Sequence, residues 1–372
     1  MNDQPIRIGM IMGKWVGGGV EAVIMNYYRH IDRSKIQFDF ICDEDSTDIP
    51  YEEIEKLGGK VILCPPYQKL GKYTKELKRI FKENDYKIVH SNINALSVFP
   101  LRAAKKAKVP VRIAHSHSTS NKKEWKKTLV KNVLRPFSKK YSTHYFACSE
   151  LAGRWLFGDK TFDKGLVTVI NNAIDLNKFK YNEDLRNKKR KELNIDDETI
   201  VIGHIGRFVA QKNHEFLIDI FKSIHEKNNN TKLLLVGQGP DVDKIKAKVK
   251  EYKLDDCVEF MGQRNDVSEL YQVFDLFLLP SFYEGLPVVG VEAQATGNLC
   301  YLSNDMTKET KVLDSTVFMS LSNTPDEWAD RILENIKTYK KHNTREEVAK
   351  YGFDIEKEAE KLEKKYCEYL GD

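Results

Sequence analysis

Several features that would send a chain into a membrane or out of the cell are missing from this sequence. Its 372 residues include only six cysteines, which are scattered and form no Cys-x-x-Cys pair. Zinc ribbons and disulfide frameworks are therefore disfavoured, and a reducing compartment is favoured. The longest apolar runs fall well short of the roughly 18 residues that a membrane-spanning helix needs. The opening residues have no basic segment ahead of an apolar core, unlike a signal peptide. We expect a cytoplasmic protein.

The sequence also lacks the strong excess of basic residues that nucleic-acid-binding proteins usually show. Its 60 lysines and arginines stand against 55 aspartates and glutamates, a net charge of +5, so no nucleic-acid partner is expected. Hydrophobic residues make up 41% of the chain, which excludes an intrinsically disordered protein. At about 150 residues per domain, the length predicts two domains.

Short, continuously apolar runs alternate with longer amphipathic segments along most of the chain. Such runs are typical of parallel strands that helices cover on both faces. The first series of predicted strands covers 6–12, 38–42, 60–64, 87–91, 111–117, 144–149 and 167–171. The second series covers 200–207, 232–237, 258–262, 276–281, 299–303 and 317–321. The charged stretch 176–198 between them predicts a connector and a surface helix, and the tail 325–372 is predicted to be helical. The sequence thus predicts an α/β protein with two doubly wound domains, whose ligands bind beyond the carboxyl ends of the strands.

Three glycines, Gly17, Gly18 and Gly19, follow the first predicted strand and lead into a helical pattern. Glycine lets a backbone approach a ligand closely, and the free N–H groups at a helix start attract phosphate. A plain turn is the alternative. The loop has no Walker A spacing, and neither domain has a complete Gly-x-Gly-x-x-Gly, because Gly237-Gln238-Gly239 lacks the third glycine. A dinucleotide-dependent dehydrogenase is therefore disfavoured.

Two histidines, His115 and His117, end the fifth predicted strand. Their spacing puts them on the same side of an extended segment. They could face a ligand, pack as core histidines or form half of a metal site. No carboxylate or third histidine lies nearby in sequence, so a metal site is disfavoured.

Charged residues also follow the strands of the second series. Arg207 ends its first strand, and Lys212 follows ahead of a helical run. Two cations at a strand end and helix start are suited to clamp a dianionic group, although a solvated surface pair is the alternative.

Two glutamates, Glu284 and Glu292, follow a later strand of the same series. A helix is predicted from Pro287, which would place Glu292 among valines and alanines more than one turn inside it. A buried carboxylate needs a partner, which the hydroxyl groups of a ribose would supply. Glu284 could accept hydrogen bonds from a sugar, and two purely structural glutamates are the alternative.

Together these motifs resemble those of glycosyltransferase family 4, retaining enzymes of the GT-B fold that use nucleotide-activated sugars. They are Gly-Gly-x-Glu, a strand-end histidine, Asn-x-x-Asp, Gly-Arg with a downstream Lys, and Glu-Gly-Leu-Pro within Glu-x7-Glu. The resemblance covers residue 6 to about 350 and is greatest to bacterial capsular or exopolysaccharide glycosyltransferases. It implies two Rossmann-like domains facing a cleft, with a C-terminal helix that crosses back. Residues 1–175 plus about 352–372 would bind the acceptor, and residues 176–351 would bind the nucleotide sugar.

The resemblance also implies roles for individual residues. The glycine loop and the two cations would hold the donor diphosphate, Arg264 would begin the loop that contacts the base, and the two glutamates would hold sugar and ribose. The residues implied as catalytic are His115, with His117 beside it, Arg207, Lys212 and Glu284. Those implied in donor binding are Gly18, Gly19, Arg207, Lys212, Arg264, Gly285, Leu286, Pro287 and Glu292. The chain departs from the family pattern at Asn171-Asn172-Ala173, the implied domain junction, and at Gly297-Asn298-Leu299.

The implied reaction moves a hexose from a UDP-sugar to a glycan or lipid-linked acceptor in polysaccharide biosynthesis, with retention by same-face attack. No cofactor and no metal are expected. Asp43-Glu44-Asp45 resembles the Asp-x-Asp metal motif of the other large glycosyltransferase fold, but its acidic loop predicts solvated surface. A nucleotide-sugar 2-epimerase and an inactive glycan-binding relative are the alternatives, which release of nucleoside diphosphate on adding an acceptor would separate.

The basic amphipathic stretch 122–140 allows two interpretations. It could contact an anionic membrane surface, which would make the protein peripheral on the inner face of the plasma membrane. It could instead pack its apolar face on its own domain.

Overall fold

The computed structural model describes residues 4–117 and 133–371, which fall into two compact units. The first unit combines residues 1–173 with 354–372, and the second comprises residues 174–353. The sequence placed the first boundary at residue 175 and the return at about residue 352. Each unit contains one parallel β-sheet, so the predicted α/β class with two such domains is confirmed.

Seven strands form the sheet of the first unit, in the order β3-β2-β1-β4-β5-β6-β7. The strands are β1 (Ile6–Gly13), β2 (Ile36–Asp43), β3 (Lys60–Cys64), β4 (Ile88–Ser91), β5 (Val111–Ser116), β6 (His144–Ala147) and β7 (Val167–Val169). The helices are α1 (Gly19–His30), α2 (Tyr51–Lys56), α3 (Leu70–Glu83), α4 (Val98–Lys106), α5 (Ser138–Tyr141), α6 (Glu150–Phe157) and α7 (Asp159–Asp163). The strand order reverses at β1, which pairs with both β2 and β4, and ligands of doubly wound sheets bind beside such a switch point.

Six strands form the sheet of the second unit, in the order β10-β9-β8-β11-β12-β13. The strands are β8 (Ile200–Ile205), β9 (Thr231–Val236), β10 (Val258–Gly262), β11 (Leu276–Leu279), β12 (Leu299–Ser303) and β13 (Thr316–Met319). The helices are α8 (Leu176–Phe179), α9 (Glu183–Glu192), α10 (His214–Lys227), α11 (Val242–Glu251), α12 (Val267–Val273), α13 (Val288–Ala295), α14 (Pro325–Ile336) and α15 (Arg345–Lys350). The order reverses at β8, which lies between β9 and β11.

Helix α9 is a surface helix, as the charged stretch 176–198 predicts, but two of its cations are buried. Lys189 and Arg190 are only 7% and 2% exposed. The guanidinium of Arg190 donates to Thr199 O at 2.8 Å, and that of Arg186 donates to Val273 O, also at 2.8 Å. Backbone carbonyls thus hold the two arginines, including that of the last residue of α12, which has no partner within its own helix. Lys189 instead pairs with the carboxylates of Asp266 and Glu269 at 2.7 and 2.9 Å.

The helical tail is confirmed by α14, α15 and a last helix, α16 (Ile355–Leu370), which belongs to the first unit. Its inward face is apolar, since Ile355, Ala359, Leu362 and Tyr366 are all buried. Most of the predicted basic helix 122–140 lies outside the described residues, which resume at 133 with a 3₁₀ turn at Arg135–Phe137. Within the described ranges, no helix combines the length and the apolar character needed to cross a membrane.

Candidate functional site

The predicted cation Lys212 and the predicted carboxylate Glu284 meet in the second unit. Lys212 lies in the 3₁₀ turn Ala210–Lys212 after β8, and Glu284 follows β11, the strand paired with β8. Lys212 Nζ lies 2.7 Å from Glu284 Oε1, and 15% and 11% of the two side chains are exposed. Neighbouring parallel strands end at the same edge of a sheet. Two residues that are 72 positions apart in the sequence therefore form a direct ion pair.

Gln211 joins the same two loops. Its Nε2 donates to Glu284 Oε2 at 3.2 Å and to Tyr283 O at 3.0 Å, while its carbonyl accepts from Phe282 N at 2.9 Å. Sequence reasoning missed Gln211 because only the charged residues around it carried a signal. The glutamate has one oxygen on a cation and the other on an amide, which fixes the orientation of the carboxylate.

Arg207 is exposed in the turn that follows β8. Two glycines after the neighbouring strand β9, Gly237 and Gly239, pack against this turn. The guanidinium of Arg207 makes no hydrogen bond or ion pair with any described residue. Phe208 N donates to Gln238 O at 2.9 Å, and a Cβ on Gly239 would stand 2.7 Å from Phe208 N. Gly237 has a φ of +136°, which side-chain-bearing residues rarely adopt. From the sequence these glycines only argued against a dehydrogenase, because no local pattern indicates that they position Arg207.

Glu292 lies on α13, which begins at Val288 directly after Pro287, as the sequence predicts. Tyr271 Oη donates to Glu292 Oε2 at 3.0 Å. Burial raises the pKa of Glu292 to about 7, although the Tyr271 hydroxyl and the charge of Lys178 act in the opposite direction. Within the part of the chain that the structure describes, Tyr271 is the one hydrogen-bond donor to this carboxylate, fewer than its ionised form needs.

Replacing Glu292 by glutamine should stabilise the protein at alkaline pH. The folded-state pKa of about 7 lies above the ordinary value of 4.5, so the fold favours the protonated form. The stability that this side chain contributes is fully present below pH 4.5 and is lost as the pH rises through about 7. Glutamine stays neutral and can still accept from Tyr271. We expect Glu292→Gln to raise the free energy of unfolding by roughly 3 kcal/mol at pH 8.5 and by much less at pH 5.

Urea unfolding at the two pH values measures this difference. The exposed Glu251 at the end of α11 provides the matched control, since Glu251→Gln changes an equivalent group in solvent. An equal gain at both pH values in Glu292→Gln would show that charge burial is not the cause.

Arg264 and the loop ahead of α13 occupy fixed positions in the second unit. Arg264 Nε and Nη2 donate to the two oxygens of Asp266 at 2.8 and 2.7 Å, so its guanidinium is held in a two-point pair. Gly285, Leu286 and Pro287 lead from the Lys212-bound carboxylate into the helix, and Leu286 is buried. The donor-binding roles of these residues stay predictions.

In the first unit, Gly18 and Gly19 lie at the start of α1. Glu21, in the first turn, accepts from Val16 N at 3.2 Å, and its Oε2 lies 2.8 Å from where a Cβ on Gly18 would stand. Glycine at position 18 therefore makes room for this carboxylate. The amides of Gly18 and Gly19 make no hydrogen bond within the described residues, so the glycine loop predicted to bind phosphate has two free backbone N–H donors.

The predicted strand-end histidines are both buried, and the structure adds a third. His115 and His117 are 2% and 6% exposed, with ring centroids 3.8 Å apart. The third is His90, which lies on β4, and its Nε2 is 3.0 Å from His115 Nδ1. Burial lowers the pKa of all three, to about 3 for His90 and His117. Sequence reasoning missed His90 because it lies 25 residues earlier. Its position after an apolar run, on the strand beside β5, was the available signal.

The acidic loop after β2 differs in part from the prediction. Glu44 and Asp45 are exposed and pair with Lys69 and Lys14 at 2.9 and 2.7 Å. Asp43, however, is only 4% exposed, because it is the last residue of the fully buried strand β2, and burial raises its pKa to about 6. Within residues 4–117 and 133–371, no three His, Cys, Asp or Glu side chains are arranged to hold a metal ion.

The predicted domain junction is tied to α1. Tyr27 Oη donates to Asn171 O at 2.6 Å, and Asn26 Nδ2 donates to Ala173 O at 2.8 Å. Asn172, between them, is buried. Where the chain departs from the family pattern, it therefore keeps a turn that hydrogen bonds from α1 hold in place.

Comparisons with known proteins agree with this architecture. Residues 17–178 match the family model described as Glycosyltransferase Family 4, and residues 186–354 match the model described as Glycosyl transferases group 1. The Bacillus subtilis (strain 168) protein named "Putative glycosyltransferase EpsF" is 34% identical over 364 residues, covering 96% of this chain and 95% of that protein.

Two further proteins resemble the chain over most of its length. An Escherichia coli protein named UDP-Gal:alpha-D-GlcNAc-diphosphoundecaprenol alpha-1,3-galactosyltransferase is 25% identical over 297 residues, which are 77% of this chain and 76% of that protein. The crystal structure of Anabaena HepE in complex with UDP and glucose superposes with a TM-score of 0.75 at 18% identity, covering 99% of this chain and 100% of that one. The latter similarity shows a shared GT-B fold. With two matching models and a relative of 34% identity along nearly the whole chain, the protein is a glycosyltransferase of family 4.

Proposed function

We propose that this glycosyltransferase moves a hexose from a UDP-sugar to a glycan or lipid-linked acceptor in polysaccharide biosynthesis, with retention at the anomeric carbon. The observation that carries the proposal is the meeting of Lys212 and Glu284 at the carboxyl end of β8 and β11, with Arg207 exposed beside the same strand end. The UDP and glucose held by HepE support the donor class. The lipid-diphosphate acceptor in the name of the Escherichia coli relative supports the acceptor class.

In the proposed reaction, the bond between the anomeric carbon and the diphosphate breaks and leaves negative charge on the phosphate. Arg207 and Lys212 would stabilise this charge, and cations in place before the reaction cost no reorganisation during it. Glu284 would accept hydrogen bonds from sugar hydroxyls once the ligand draws Lys212 away, and Glu292 would accept from the ribose. The leaving phosphate would take the proton of the acceptor hydroxyl, which attacks on the same face. This route needs no protein nucleophile, no metal and no cofactor.

A thermal-shift screen of nucleotides and nucleotide sugars tests the donor proposal. A ligand that binds only the folded state raises the unfolding midpoint by mass action. At a concentration of one hundred times its dissociation constant, it raises the free energy of unfolding by about 2.7 kcal/mol. We expect UDP and one UDP-sugar to raise the midpoint, and adding an acceptor to release UDP. No shift with any nucleotide would overturn the proposal. Conversion of the nucleotide sugar without an acceptor would favour the epimerase instead.

We also propose that the surface around the described part of the basic segment contacts an anionic membrane, where a lipid-linked acceptor resides. Three large apolar side chains there are exposed: Val133 (59%), Phe137 (45%) and Leu151 (44%). The neighbouring Arg135 and Lys139 add positive charge. Apolar side chains bordered by cations are typical of interfacial membrane binding.

Liposome flotation tests this contact. We expect the protein to float with vesicles that contain anionic lipid and to float less with neutral vesicles. Both the attraction between the basic side chains and anionic lipid and the burial of the apolar side chains contribute to binding. Phe137→Ser should reduce flotation several-fold. Tyr351→Ser, which removes an even more exposed aromatic group (60%) from the second unit, is the control. Equal flotation with neutral and anionic vesicles, or none, would contradict the proposal.

A further inference from the structure

A chain of hydrogen bonds links the last helix of the protein to the predicted catalytic histidine. Tyr366 Oη, on α16, lies 2.7 Å from His90 Nδ1, and His90 Nε2 lies 3.0 Å from His115 Nδ1. All three side chains are at most 2% exposed. We call Tyr366, His90 and His115 the histidine relay.

The hydroxyl group of Tyr366 determines where the hydrogens of the histidine relay lie. A tyrosine O–H carries one hydrogen, and His90 Nδ1 is the acceptor that the described residues offer to Tyr366. Tyr366 therefore donates, which leaves Nδ1 of His90 unprotonated and its hydrogen on Nε2. That nitrogen donates to His115 Nδ1, so His115 must carry its own hydrogen on Nε2. The reverse order would leave a buried tyrosine hydroxyl hydrogen without an acceptor, at a cost of about 1–3 kcal/mol.

Burial keeps the relay neutral. It lowers the pKa of His90 to about 3 and the pKa of His115 well below its usual range, and it raises that of Tyr366. Among the described residues, the titratable groups that act on His90 and His115 are His117 and, for His115, also His90, and each of them lowers the pKa further. At neutral pH each imidazole therefore carries one hydrogen, and the order of donors is fixed.

The outer end of the relay is a hydrogen-bond donor in need of an acceptor. His115 Nε2 is buried and has no partner among residues 4–117 and 133–371. His117 differs from it, because its Nε2 donates to Asn92 Oδ1 at 3.0 Å, which leaves its buried Nδ1 as an open acceptor. The end of β5 thus holds one unpaired donor and one unpaired acceptor. A ligand hydroxyl both donates and accepts, so it matches this pair chemically.

We propose that Tyr366 and His90 are positioning residues that fix His115 as a neutral Nε2–H donor to an oxygen of the sugar substrate. The identity of the substrate rests on the proposed function, whereas the proton order rests only on the contacts of the first unit. The return of the chain to the first unit then has a chemical consequence, because α16 supplies the hydroxyl that starts the relay.

The first test reads the hydrogen positions directly in the full-length protein without any substrate. Long-range ¹H–¹⁵N spectra of the ¹⁵N-histidine-labelled protein at neutral pH distinguish the two tautomers, and loss of signals in His90→Gln and His115→Gln assigns them. We expect both His90 and His115 to carry hydrogen on Nε2. A hydrogen on Nδ1 of His115 would overturn the proposal, even if the protein proves to be a UDP-sugar transferase.

The second test uses two variants of nearly equal size. In His90→Gln, the amide oxygen can accept from Tyr366 and the amide nitrogen can donate to His115, so kcat should stay within about threefold of the parent. In His90→Glu, the carboxylate accepts from His115 and raises the pKa of its imidazole. His115 then loses its Nε2 hydrogen as the pH rises through that pKa, and we expect a new alkaline fall in kcat of at least tenfold.

UDP binding, measured by thermal shift, should be unchanged in both variants, since none of the residues proposed to contact the nucleotide belongs to the histidine relay. His144→Gln, on the neighbouring strand, is the control for histidine replacement. Equal pH profiles for the Gln and Glu variants would overturn the relay. Absence of UDP binding in the parent would instead overturn the proposed function and leave the tautomer result valid.

Discussion

Replacing Lys212 by alanine is expected to lower turnover by roughly 10²–10³-fold while the second unit stays folded. The loss follows because Lys212 is proposed to meet the charge that develops on the departing diphosphate, an interaction that strengthens in the transition state. The same lysine forms the ion pair with Glu284. Only 15% and 11% of the two side chains are exposed, so the variant loses some stability, but Gln211 still binds the carboxylate and limits this loss.

Steady-state kinetics with the donor identified by thermal shift measures the effect. Lys188→Ala removes an exposed lysine of α9 and is the matched control, with parent-like turnover expected. Circular dichroism and urea unfolding confirm that both variants are folded. Turnover of Lys212→Ala near that of the parent would rule out the proposed diphosphate contact. A raised KM with unchanged kcat would show that Lys212 binds the ground state and the transition state equally and so does not accelerate the chemical step.

Strand positions could be predicted from the sequence because the strands of a doubly wound sheet are continuous apolar runs. All thirteen predicted runs overlap strands of the structure, from β1 to β13. Arg207, Lys212, Glu284 and Glu292 were recognisable because each follows such a run. The ion pair between Lys212 and Glu284 could not be predicted in the same way, since it depends on the pairing of β8 with β11, which no local pattern encodes.

Burial of charged and polar side chains was the main feature that sequence patterns did not reveal. Arg190 reads as surface charge, yet it is buried because backbone carbonyls from distant segments accept its hydrogen bonds. His90 reads as an ordinary strand residue until β4 and β5 bring it against His115. Asp43 reads as loop until β2 proves to extend through it. In each case the deciding partner lies on another element, so the sequence alone could not indicate it.

Gly239 shows how a neutral residue can determine the position of a charged one. The backbone of Phe208 lies against Gly239 so closely that a Cβ would stand 2.7 Å from Phe208 N and nearer still to Phe208 O. Real Cβ atoms essentially never approach other atoms this closely, and a backbone segment cannot rotate away as a side chain can. Alanine at position 239 must therefore displace the turn that carries Arg207, and with it the guanidinium proposed to bind the diphosphate.

We accordingly expect Gly239→Ala to lower turnover by about 10²-fold, the usual consequence of moving a charged group by roughly 1 Å. Gly71→Ala is the matched control, because no atom lies within 4 Å of a Cβ at that position, and parent-like turnover is expected. A double-mutant cycle with Arg207→Ala identifies the cause. If Gly239 acts by positioning Arg207, adding Gly239→Ala to Arg207→Ala costs little more. Fully additive losses in two folded variants would contradict this explanation and would indicate that the glycine contributes to the site independently of the arginine.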